Sequence, residues 1–139
     1  MQEVLLLSGA GQIGMAIARR VGAGKKIVVG DKNPANADAI ATILQNAGFD
    51  AVATEMDLAS RASIKRMIAQ AQQMGDITML VNAAGVSPSQ APIETILKVD
   101  LYGTAVLLEE VGQMIAPGGV GVTISSQSGY RMPALTAQQ

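Results

Sequence analysis

Ser126 and Tyr130 close the apolar run of "ISSQSGY", and hydroxyls at the end of such a run are candidates for acid/base chemistry. A phenol titrates near 10, so a tyrosine acts as a base at neutral pH only with a cation or an equivalent beside it. All five lysines (Lys25, Lys26, Lys32, Lys65 and Lys98) precede Ser126. Four residues beyond Tyr102 and Tyr130 stand Val106 and Ala134, not lysines. With no cysteine and no histidine, the chain has no thiolate nucleophile or imidazole base and lacks the usual ligands of transition metals. No metal site is expected, and chemistry must come from hydroxyls, carboxylates, lysines or a bound cofactor.

A second set of residues is suited to holding such a cofactor. In "SGAGQIG", Gly9, Gly11 and Gly14 form G-x-G-x-x-G, with Gln12 and Ile13 opening the helix that follows. Between a strand and a helix, this spacing allows a tight turn, close approach of backbone to a pyrophosphate, and amide donors facing the anion. The bland reading is a glycine-rich turn. Asp31 ends the next strand at about the 20-residue spacing at which an acidic residue accepts from the adenosine ribose hydroxyls. The same carboxylate repels a 2′-phosphate, and neighbouring Lys32 softens that choice, so NAD is expected ahead of NADP. "DKN" also reads as a solvated turn.

Asp57 and Leu58 follow the third strand. The aspartate can accept from the adenine amine while the leucine packs near the ring, or it can cap the helix that starts near Ser60. After the fourth strand, Asn82, Ala83, Ala84 and Gly85 let backbone approach a ligand, and Asn82 can tie adjacent strands. On residues alone this is a tight strand-to-loop transition.

These residues need a scaffold that brings strand ends together. Short β-rich runs at 4–7, 26–30, 50–55, 77–82 and 120–125 alternate with helix-length segments at 12–22, 34–47, 60–74 and about 93–115. Ile13, Ala16, Ile17 and Arg20 recur at helical spacing in the first helix, as do Ile64, Met67, Ile68 and Ala71 in the third. Strict alternation predicts right-handed crossovers and a parallel sheet, and strands apolar almost throughout predict cover on both faces. The expected fold is therefore α/β: a doubly wound parallel sheet of about five strands and four helices in three α/β/α layers, with ligands at the carboxyl ends of the strands.

Composition agrees with a single packed domain. A chain of 139 residues with 49% hydrophobic and 15% charged residues has apolar surface to bury. A net charge of −1 and three aromatics argue against a nucleic-acid groove. No stretch approaches the length of a membrane span, and "MQEVLLLSGAG" lacks the basic leader of an export signal. A cytoplasmic protein with neither nucleic acid nor membrane as partner is expected.

Taken together, the chain resembles the short-chain dehydrogenase/reductase family from its first strand to Ser126. The resemblance rests on Gly9, Gly11 and Gly14, on Asp57, on the more specific "NAAG" of residues 82–85, and on the serine pair Ser125-Ser126. It implies a Rossmann fold and hydride transfer between a nicotinamide cofactor and a small alcohol or carbonyl substrate. It further implies that Ser126 hydrogen-bonds that substrate, and that the complete protein is a homodimer or homotetramer. A strand-end serine that satisfies backbone groups is the simpler alternative for Ser126.

Two departures stand out. Where the family carries a relay asparagine in its fourth helix, "KVDLYGT" has Asp100, which cannot donate when ionised. The family's Tyr-x-x-x-Lys is absent. Residues 1–139 are accordingly expected to be an incomplete dinucleotide-binding domain, inactive alone, with that pair beyond Gln139. The loop at 86–92 is expected to border the nicotinamide end. A non-catalytic nucleotide-binding or regulatory domain and an S-adenosylmethionine methyltransferase are the competing readings.

Overall fold

The computed structural model describes residues 2–86, 89–131, 133–134 and 136–138. Its apolar runs become β1 (Glu3–Ser8), β2 (Lys26–Asp31), β3 (Asp50–Glu55), β4 (Asp76–Asn82) and β5 (Val120–Thr123). They form one sheet in the order β3-β2-β1-β4-β5, with every pairing parallel. Successive side chains of a strand point to opposite faces, so the continuous run from Val4 to Leu7 requires cover on both. One face packs Leu5, Leu7, Ile27 and Val29 against Ala18 of α1 (Gln12–Val21) and Ala37, Ile40, Ala41 and Leu44 of α2 (Pro34–Asn46). The other packs Val4, Leu6, Val28 and Leu80 against Ile64, Met67, Ile68 and Ala71 of α3 (Arg61–Met74). Val106, Leu107 and Val111, from further along the chain, complete this layer.

Local signals set the helix starts. Pro34 sits in the first turn of α2, and the Asn33 side chain accepts from Ala35 N at 3.0 Å. Ser60 caps α3 by accepting from Ser63 N at 3.2 Å. Removing that acceptor with Ser60→Ala should lower stability by about 1 kcal/mol. The measurement is the urea midpoint at constant m, and an unchanged midpoint would show the cap to be idle.

Three sequence expectations are revised. In the first helix the Ile13-Ala16-Ile17-Arg20 stripe is not the main buried face: Ile13 is 60% exposed and Ile17 packs half-buried against the core, while Gly14 and Ala18 are buried. Small residues belong there because helix and strand lie close, and a Cβ built on Gly14 would stand 2.9 Å from Leu7 Cδ1. The fourth helix is not continuous over 93–115. It consists of α4 (Ile93–Ile96), a π-helical stretch Leu97–Gly103 and α5 (Thr104–Gly112). The fifth strand ends at Thr123, and the following residues lead into a short helix, α6 (Gln127–Arg131).

Across the surface of the second layer, Arg61 of α3 pairs with Glu110 and Glu109 of α5. Bonds to Glu110, Glu109 and Tyr102 raise the guanidinium pKa above its ordinary value. No helix among the described residues is long and apolar enough to cross a membrane.

Candidate functional site

In a doubly wound sheet the crevice opens where strand order reverses, here between β1 and β4. At this point the carboxyl ends of β1 to β4 border a cleft of about 340 Å³. Gly9 to Gly11, Gly30 to Lys32, Met56 to Leu58 and Ala83 to Val86 line it. Gly9 has φ +102° and lies so close to the neighbouring strand end that an added Cβ would meet Ala84 N at 2.7 Å. Gly11 is different: a Cβ there would meet nothing within 4 Å. It is also the N-cap of α1, without a side-chain cap bond and with no acidic residue in the first turn. The uncapped first-turn amides of a ten-residue helix thus accompany an open, backbone-walled cleft, an arrangement suited to an anion.

Asp31 and Lys32 both reach the cleft. The Asp31 carboxylate accepts from two main-chain amides, Ala10 N at 3.0 Å and Asn33 N at 3.1 Å. The Asp57 carboxylate closes a local turn: Oδ1 accepts from Ala59 N at 2.9 Å while its own N–H donates to Ser63 Oγ at 2.9 Å. Ser60, not Asp57, is the cap of α3. Leu58 is buried beside the cleft, held against the π-helical stretch, where a Cβ on Gly103 would stand 2.5 Å from Leu58 O.

At the end of β4, ties between strands come from main chain. Ala83 N donates to Ser8 O at 2.8 Å, and Ile124 N donates to Asn82 O at 2.9 Å. The Asn82 side chain, expected to tie strands, is 1% exposed and has no hydrogen-bond partner among the described residues. Its register partner Ser8 likewise has an unpaired buried hydroxyl among them. Asn82 does not line the cleft. Asp100 accepts from Val86 N at 2.9 Å and lies 3.2 Å from the position of a Cβ on Gly85. It holds the chain leaving β4 through an acceptor-only contact that an ionised carboxylate can make.

Ser126 does not line the cleft. It is exposed, and its hydroxyl accepts from Ser128 N and pairs with Ser128 Oγ, both at 3.1 Å. Tyr130 is 94% exposed. Gln12, Ile13 and Gly14 also lie outside the cleft lining. Within the loop at 86–92, Val86 and Gln90 line the cleft, whereas Ser87 and Pro88 lie outside the described residues. Sequence reasoning missed Ala10, Gly30, Asn36, Met56 and Val99 as lining residues. Ala10 was findable as a position between two loop glycines. Asn36 and Val99 carry no local signal, because only helix packing brings them there.

Comparison with known proteins agrees with this fold. Residues 2–137 match the family described as short chain dehydrogenase. A short-chain dehydrogenase/reductase of Alternaria brassicicola, bsc3, is 38% identical over 131 residues, covering 94% of this chain and 48% of that protein. The chain thus spans about half the length of this curated relative. An actinorhodin polyketide ketoreductase solved with NADPH superposes with a TM-score of 0.80 at 26% identity, over 94% of this chain and 55% of the other. A Burkholderia phymatum short-chain dehydrogenase/reductase in complex with NAD gives a TM-score of 0.82 at 21% identity, over 95% and 52%. With its glycine loop, its parallel sheet and a family match over nearly its whole length, this chain belongs to the short-chain dehydrogenase/reductase family.

Proposed function

We propose that this chain is the dinucleotide-binding part of an NAD(P)-dependent oxidoreductase acting on a small alcohol or carbonyl compound. The observation that carries the reading is the backbone-walled cleft at the β1/β4 switch point, where Gly11 leaves open space beside the uncapped start of α1. A bound nicotinamide would supply hydride chemistry at its C4 toward the substrate carbon. The α1 amides hold the pyrophosphate, and Asp31 accepts from the adenosine ribose. Asp57 and Leu58 take the adenine. Ala83 to Gly85 lie toward the nicotinamide half, and Ser126 donates to the substrate oxygen once its bond to Ser128 is exchanged.

Asp31 favours NAD, because its charge opposes a 2′-phosphate, while Lys32 beside it moderates the difference. One similar structure is solved with NADPH and another with NAD, which supports NAD(P) as the cofactor class. Residues 1–139 contain no Tyr-x-x-x-Lys pair, and an unassisted tyrosine is a poor base at neutral pH. The complete protein is proposed to be cytoplasmic and to act as a homodimer or homotetramer.

Calorimetric titration of the chain with NAD, NADP and S-adenosylmethionine tests the reading. Saturable binding of NAD, tighter than NADP, is expected, with no turnover of alcohols. Binding of the methyl donor alone would reject it.

A further inference from the structure

We infer that Asp31 is a positioning residue that sets the glycine loop before any cofactor arrives, in addition to meeting the ribose. The role rests on the dinucleotide reading above for its consequence, but on the chain's own bonds for its existence. Gly9 N donates to Gly30 O at 2.8 Å, which joins the start of the loop to the end of β2. One residue further, Ala10 N donates to Asp31 Oδ2 at 3.0 Å, across 21 positions of sequence. The other oxygen, Oδ1, accepts from Asn33 N at 3.1 Å just ahead of α2. A single half-buried carboxylate therefore joins the β1–α1 loop to the β2–α2 loop on the rim of the cleft.

The geometry makes the loop depend on this bond. Gly9 occupies a positive φ that only glycine adopts at little cost, and Gly11, with open space around its Cα, gets no side-chain support. Ala10 is the one loop residue between them whose amide is fastened by a charge-assisted bond, and such bonds exceed neutral ones in strength. An ionised carboxylate offers about four acceptor sites. Two are committed to Ala10 and Asn33, which leaves each oxygen capacity for a ribose hydroxyl. Latch and ribose contact thus coexist on one side chain.

The consequence runs against the simple charge rule. If Asp31 only selected between cofactors, removing it would release NADP from repulsion and tighten its binding. A loop-setting Asp31 predicts instead that the pyrophosphate site is disordered for both dinucleotides.

The test uses the whole chain in two arms. In the cofactor-free protein, the exchange rate of the Ala10 amide, measured by NMR, should rise about tenfold in Asp31→Ala, as expected for loss of a charge-assisted bond, while the amides of β1 keep their protection. Asp31→Asn, which retains one acceptor oxygen, should fall between. In titrations, Asp31→Ala should bind NAD about tenfold more weakly and NADP no more tightly than the parent. An Ala10 amide that exchanges at the parent rate in both variants overturns the latch, as does tighter NADP binding by Asp31→Ala. A parent chain that binds neither dinucleotide rejects the proposed function, and the exchange arm still decides the latch. Should the alanine variant not fold, the asparagine variant decides alone: parent-like Ala10 exchange or tighter NADP binding overturns the inference, and faster exchange without tighter NADP binding supports it.

Discussion

Gly9→Ala should destabilise the chain by about 2–4 kcal/mol, whereas Gly11→Ala should cost less than about 1 kcal/mol and act on the cleft instead. The two glycines share a loop but differ in physical task. At Gly9 the backbone is left-handed, and a methyl group would stand 2.7 Å from Ala84 N and 2.8 Å from Ala83 C. Those neighbours are main-chain atoms at the end of a central strand, joined through Ala83 N to Ser8 O, so they cannot yield as a flexible side chain would. Backbone strain and overpacking therefore add. At Gly11, φ is −112° and the space around Cα is open, so alanine fits the folded chain. Its methyl group would occupy space within the cleft lining, where the close approach of backbone to pyrophosphate is lost. Urea unfolding separates the stability effects, and calorimetry with NAD should show Gly11→Ala weakened by at least about tenfold. Equal stability of the two variants would mean that Gly9 does not make the turn described here.

The contrast explains what could be read from sequence. The strands were legible because parallel strands covered on both faces need unbroken apolar runs, and "VLLL", "KIVVG" and "ITMLVN" supply them within a residue or two of the observed ends. The glycine loop was legible because its spacing reports a backbone task. Side-chain partnerships were not. Nothing local tells that Asp31 accepts from Ala10, that Asp100 accepts from Val86, or that the Asn82 amide has no partner among the described residues. Each depends on which loops the sheet brings side by side. The helical stripe misled at Ile13 because periodicity ranks large apolar residues, while the close contact of α1 with β1 selects Gly14 and Ala18. Strand β5 lies at one edge of the sheet formed by residues 1–139, with Val120 56% and Val122 47% exposed, and past Thr123 a single main-chain bond, Ile124 N to Asn82 O, continues the pairing.

The interrupted fourth helix shows how packing, not propensity, positions part of the cleft. Gly103→Ala should lower stability by about 2 kcal/mol, although alanine is the better helix former by about 1 kcal/mol. The methyl group would stand 2.5 Å from Leu58 O and 3.0 Å from Leu58 C. Both are backbone atoms of the β3–α3 connection, which Asp57, through Ala59 and Ser63, already fastens to α3. Relief must come from moving the π-helical stretch or Leu58. Either shift reaches the cleft, since Val99 and Leu58 both line it. Cofactor binding should thus weaken together with stability, although Gly103 itself does not line the cleft. Gly112→Ala is the control within the same helical region. A Cβ there meets nothing within 4 Å, so propensity acts unopposed and stability should rise by up to about 1 kcal/mol with NAD binding unchanged. If both alanines stabilise the chain, the π-helical stretch has room to regularise, and its close approach to Leu58 is not what holds that wall of the cleft.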